Sequence, residues 1–134
     1  MGNKITNLIN FEQVKSLSKD GILIHIMEDT QKVLIVGTLS VEKETEKINK
    51  MLSKNDYETD IIIYGRNDHE YEELIKKQKQ LYSLGFKHVY IYLGGMFEWL
   101  LLQDVYGDKE FPTEKKGDIL NFKGNQGKET KVSF

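Results

Sequence analysis

The chain has 134 residues, of which 39% are hydrophobic and 30% charged, with a formal net charge of −2. That length suits one globular domain of roughly 100–200 residues, and the near-balanced charge offers no pull toward nucleic acid or an anionic membrane surface. The complete absence of cysteine excludes disulfides, zinc–thiolate sites and every thiol mechanism.

The first six residues, Met1-Gly2-Asn3-Lys4-Ile5-Thr6, lack the apolar run of a secretory signal. Gly2 and Thr6 fit an N-myristoylation pattern, but no basic cluster reinforces it and a single acyl chain anchors weakly. No stretch approaches the roughly 20 apolar residues needed to cross a bilayer. The expected location is the cytoplasm.

Asn10 is placed to cap a first helix, with Gln13 three residues later and Phe11, Val14 and Leu17 at helical spacing. Lys19-Asp20-Gly21 ends it, with Gly21 suited to the left-handed closing position. Two short β-branched runs follow, Ile22 to Ile26 and Lys32 to Val36, separated by the turn-like Met27 to Gln31. Both runs suit strands buried in a sheet.

Ser40 caps a second helix whose apolar stripe is Val41, Ile48, Met51 and Leu52, with Asn55-Asp56 at its exit. Ile61-Ile62-Ile63-Tyr64 lacks polar alternation, so the pattern predicts a strand covered on both faces. The turn Gly65-Arg66-Asn67 leads into a helix from about Asp68 to Leu84, closed by Gly85.

His88 to Leu93 is the next strand, with Val89, Ile91 and Leu93 on one face and Tyr90 and Tyr92 on the other. Gly94-Gly95 turns the chain into Met96 to Tyr106, apolar nearly all round and therefore expected to be buried or covered by another segment. Beyond Gly107, Pro112 pins an extended stretch and Ile119, Leu120 and Phe122 are candidates to dock again. Residues 1–122 are expected to form one domain, and 123–134, polar and glycine-bearing, a flexible tail. Strands alternating with helices predict an α/β fold, with a mainly parallel central sheet and helices on both faces.

Two stretches resemble the rhodanese-like domain family. One is the strand end Ile61-Ile62-Ile63-Tyr64-Gly65 with the following helix closing at Leu84-Gly85-Phe86. The other is Val89-Tyr90-Ile91-Tyr92-Leu93-Gly94-Gly95, with Trp99 four residues after the second glycine. Leu23-Ile24-His25-Ile26 and Val36-Gly37-Thr38-Leu39 are similar in layout to the family's N-terminal half, and the resemblance covers about residues 8–106. It implies a three-layer rhodanese-like domain. In that family a cysteine after the central strand carries a persulfide, stabilised by backbone N–H groups and a helix N-terminus. The matching position here is Gly65, and the family's early acidic and basic strand residues fall near His25 and Met27. Sulfur transfer and the related thiol-based phosphatase and arsenate-reductase reactions are not expected.

The vestigial loop is Gly65-Arg66-Asn67-Asp68-His69-Glu70. Arg66 and the loop amides are candidate anion donors. Against that, Asn67 as cap with Glu70 three residues on forms a capping box, and acids in a first turn favour the helix dipole. Asp68, His69 and Glu70 are sequence neighbours that do not share a helical face, so no metal site is expected. The serines and threonines show no nucleophile-elbow pattern, and neither a catalytic residue nor a cofactor is expected. Cysteine-free rhodanese-like domains serve as docking domains, so the resemblance implies a non-catalytic interaction or regulatory module whose partner is another protein. The alternative is a small-anion-binding domain using the Gly65–Glu70 loop. An exposed Phe97, Trp99 and Leu101 would mark a partner site.

Overall fold

A computed structural model describes residues 7–28 and 33–122. It shows four strands, β1 (Leu8–Ile9), β2 (Ile22–His25), β3 (Ile61–Tyr64) and β4 (Val89–Tyr92). Four helices accompany them: α1 (Phe11–Leu17), α2 (Val41–Ser53), α3 (Tyr71–Ser83) and α4 (Gly95–Tyr106). The strands lie in the order β1-β4-β3-β2 and every pairing is parallel. β3 sits between β2 and β4, in register Ile61 with Ile22 and Val89, and Tyr64 with His25 and Tyr92.

A strand buried on both faces sends alternate side chains to opposite layers. Ile61 and Ile63 join Ile48, Met51, Leu74, Leu81 and Phe86 on the α2/α3 face. Ile62 and Tyr64 join Val14, Met96, Trp99 and Leu100 on the α1/α4 face, where Phe111 and Phe122 complete the layer. β4 divides in the same way, Val89 and Ile91 to one side and Tyr92 to the other. The α/β architecture with helices on both faces is therefore the one the alternation of elements implied.

Local signals place several boundaries. Asn10 and Gln13 form the expected capping box, with bonds of 2.9 and 3.0 Å, and Ser40 Oγ accepts from Lys43 N at 3.2 Å. Gly21 departs from expectation, since its φ is not positive. A Cβ there would instead lie 2.5 Å from the Asp60 carbonyl oxygen and 2.9 Å from that of Leu17, so close approach is what demands glycine.

Of the strand expected over Lys32 to Val36, the described residues 33–36 are not in the sheet. Within its described part, Ile35 makes an isolated antiparallel bridge to Thr113, Val36 N donates to Pro112 O at 3.2 Å and Glu114 N to Leu34 O at 2.8 Å. The segment after α4 has thus taken the backbone that a sheet neighbour would have used. The Ile35 amide is satisfied by a side chain, the buried Tyr64 hydroxyl at 3.0 Å. The β1 pairing lay outside the sequence reading because two residues carry no periodicity. The expected tail, residues 123–134, lies outside the described residues, as does Gly2.

Tyr64 Oη also meets Thr38 Oγ1 at 2.7 Å. Burial pushes this phenol far up from its ordinary value, against the opposing pull of the Thr38 and Ile35 hydrogen bonds. Replacing Tyr64 by Phe would strand the buried Ile35 amide, at a cost of about 1–3 kcal/mol. The expected outcome for Tyr64→Phe is a melting temperature lowered by several degrees with unchanged far-UV circular dichroism.

Candidate functional site

The loop leaving β3 is assembled from backbone. Gly65 O accepts from Met96 N at 3.0 Å and Arg66 O accepts from Phe97 N at 2.9 Å. The first amides of α4, which have no partner within their own helix, are therefore spent on the β3 loop. This contact requires Gly95, whose φ is +63°. A Cβ at Gly95 would run into Gly65 O and come within 3.0 Å of Arg66 C.

All six residues of the predicted loop lie together, but they satisfy one another differently than expected. Residues Asp68–Glu70 form a 3₁₀ turn before α3, and Asn67 Oδ1 accepts from His69 N at 2.8 Å. Glu70 does not close the expected box on Asn67. Its Oε1 reaches one residue further back and accepts from Arg66 N at 2.8 Å. A Cβ built on Gly65 would collide with that same Oε1, and would lie 3.2 Å from Ile26 Cγ1. The Glu70 carboxylate therefore occupies the start of the path a side chain at 65 would follow.

Asn67 is buried and donates from Nδ2 to Phe122 O at 2.7 Å. Arg66 Nη2 reaches Asn121 O at 3.4 Å, while Arg66 Nε is buried with no hydrogen-bond partner. Asp68 and His69 are exposed and lie 3.9 Å apart. Among the described residues no group of His, Asp and Glu is arranged to hold a metal.

Two cavities lined by described residues flank the loop. One, of about 300 Å³, is lined by Ile26, Met27, Glu28, Arg66, Glu70 and Glu73, so among the described residues three carboxylates share it with one guanidinium. The other, of about 330 Å³, has Leu93, Phe97 and Leu101 on one side with Asp68 and Glu98 beside them. Glu98 repeats the Glu70 arrangement, because its carboxylate lies over Gly94 where a Cβ would start. It accepts the Tyr92 hydroxyl at 2.6 Å, and burial first, then this bond, push the Tyr92 phenol strongly upward. The proton stays on the tyrosine.

A β3 strand end followed by a tight backbone loop, roofed by a Gly-Gly turn into α4 with Trp99 buried beneath, is the arrangement the resemblance implied. The rhodanese-like domain family profile matches residues 6–102. The chain belongs to the rhodanese-like family. No curated protein matches the sequence. A crystal structure of the Alr3790 protein from Anabaena sp. superposes with a TM-score of 0.59, at 17% identity, over 94% of this chain and 100% of that one. A solution structure of the rhodanese-like domain of Alr3790 gives 0.58 at 20% identity, over 87% and 83%. At those identities the likeness concerns the fold alone.

Within this rhodanese-like domain, the sequence did not point to Ile26, Glu28, Glu73, Glu98 or the Asn121 and Phe122 carbonyls. The available signal was spacing, an acid five residues after Gly65 and another four after Gly94. His25, at the end of β2, is buried and its Nδ1 accepts from Met27 N at 3.0 Å. It shapes the neighbouring turn rather than facing solvent. Trp99, offered as a patch residue should it be exposed, is buried and donates to Pro112 O at 3.1 Å.

Gly95→Ala would force a Cβ into the β3 loop at a positive φ, where the conformation alone costs on the order of 1–3 kcal/mol. A clear fall in melting temperature is expected. Amide exchange should accelerate at Met96 and Phe97 before it does so at Ile62 and Ile63, because the α4–loop bonds open first.

Proposed function

We propose that this chain is a non-catalytic rhodanese-like domain that acts by binding another protein. The observation that carries the proposal is the solvent-facing apolar row on α4, Phe97, Leu101 and Val105, which recurs every four residues along one side of the helix. Leu101 is 46% and Val105 65% exposed, and Phe97 is partly buried. Single exposed apolar residues are ordinary, but a contiguous row beside a cavity is the form an interaction surface takes.

The charge around this row selects among partners. Asp68 and Glu98 line the cavity with Leu93, Phe97 and Leu101, and among the described residues no Lys or Arg lines it. A complementary segment presents a large apolar side chain flanked by Lys or Arg. The absence of cysteine removes thiol chemistry from consideration, and the Glu70 carboxylate bound to Arg66 N weighs against an external anion in the loop.

Leu101→Asp substitutes an exposed residue, so stability should change by no more than about 0.5 kcal/mol. Immobilised wild-type protein should retain a partner through a basic-apolar segment, Leu101→Asp should lose it, and Arg66→Ala should keep it. Retention of the same partner by Leu101→Asp at equal affinity would reject the α4 surface.

A second reading has its own support in the buried, unpartnered Arg66 Nε. It assigns a small anion to the Arg66 cavity, against the three carboxylates that line the same space. Thermal unfolding of wild type and Arg66→Ala in thiosulfate, sulfate and phosphate separates the two. An anion at about 100 times its dissociation constant adds roughly 2.7 kcal/mol. No shift is expected in either protein; a shift confined to wild type would favour the anion.

A further inference from the structure

The placement of Glu70 has a consequence that does not depend on which partner the domain binds. A side chain on residue 65 would start inside the contact distance of Glu70 Oε1, with Ile26 Cγ1 and Cδ1 next at 3.2 and 3.3 Å. The isoleucine tip gives way by small rotations. The carboxylate is also the far end of a flexible side chain, but it cannot move aside without losing its 2.8 Å bond from Arg66 N. Glu70 is the residue capping α3, yet its side chain makes no hydrogen bond to that helix. It turns back into the loop, giving up the helix for the space over Gly65.

We propose that Glu70 is the resident occupant of the space a residue-65 side chain would need, so that Gly65 and Glu70 are a coupled pair and a held, reactive thiol at position 65 requires changing both. Charge works in the same direction as volume. A thiolate at 65 would form beside an existing carboxylate that has already taken the Arg66 amide, and a nearby like charge disfavours ionisation. Removing the carboxylate frees that amide for the sulfur. Among the described residues, the other charged groups near this space are Arg66 and the carboxylates of Glu28 and Glu73 around the cavity, with Asp68 and His69 on the 3₁₀ turn. None of these changes between the variants compared below, so a difference in titration reports Glu70.

The test uses the natural lack of cysteine, which makes any introduced thiol the sole one in the chain. Gly65→Cys, Glu70→Ala and the double variant would be compared with wild type by thermal unfolding. The two cysteine proteins would also be alkylated with iodoacetamide across pH. Glu70→Ala alone should lower the melting temperature, because the Arg66 amide loses its acceptor. Introduced into Gly65→Cys, the same change should raise it. The alkylation midpoint of Gly65→Cys should lie at or above the free-cysteine value of about 8.5, and that of the double variant at least one pH unit lower. A cysteine variant that folds only when Glu70 is also removed would support the pairing. Additive melting shifts with equal alkylation midpoints would overturn it. Failure of both cysteine proteins to fold would overturn it too, since removing the carboxylate would then not have made room.

Discussion

The site depends on two hydrogen bonds between backbones distant in sequence, Met96 N to Gly65 O and Phe97 N to Arg66 O, at 3.0 and 2.9 Å. A helix N-terminus carries unpaired amides and a partial positive charge, and is the natural place for an external anion. In α4 those amides are directed at carbonyls of the chain itself. The contact fixes the β3 loop against the β4–α4 turn and needs Gly95 at a positive φ to let the backbones approach. Gly65, Arg66 and Asn67 are thereby placed with little freedom, and the geometry around them follows.

The same self-sufficiency extends outward. Arg66 N is taken by Glu70, Asn67 Nδ2 by the Phe122 carbonyl, and the Tyr92 hydroxyl by Glu98. Buried polar groups are costly unless paired, and in this loop, Arg66 Nε apart, nearby side chains and residues 121–122 supply partners. Two glycines, 65 and 94, are each overlain by a glutamate carboxylate from the turn that follows. The acids that look like first-turn helix stabilisers in the sequence thus act inward, as acceptors and space-fillers. The cavity beside Arg66 is lined by Glu70 together with the exposed Glu28 and Glu73.

Much of the fold was legible because apolar periodicity states which faces are covered. Ile61 to Tyr64 announced a doubly buried strand, Val89 to Tyr92 its alternation, and Asn10 and Ser40 their caps, since each signal is local. The sheet position assigned to Lys32–Val36 failed because a β-branched run does not say which neighbour claims its backbone. The Tyr64 hydroxyl and the Pro112–Glu114 segment claimed it, across 29 residues in one case and about 80 in the other. The capping box at Asn67 and Glu70 was legible in composition and misplaced in geometry. A spacing rule counts residues, whereas the intervening 3₁₀ turn carried the carboxylate back to Arg66. Similarly, the apolar character of α4 indicated coverage. Only the tertiary structure separates Met96, Trp99 and Leu100, which are buried, from Leu101 and Val105, which are not.

That separation links the loop to the α4 surface. Because α4 is apolar on almost every side, burial of Met96, Trp99 and Leu100 under Phe111 and Phe122 uses one face and leaves another apolar face uncovered. An amphipathic helix would have met solvent there with charge, at no cost to the core. The uncovered row begins at Phe97, whose amide is already bound to the Arg66 carbonyl. A partner seated on Leu101 and Phe97 would thus press on the residue that holds the loop, where Glu70 accepts from the Arg66 amide. In a rhodanese-like domain with no thiol, the uncovered α4 row therefore starts at a residue bonded to the loop where the family's cysteine would sit.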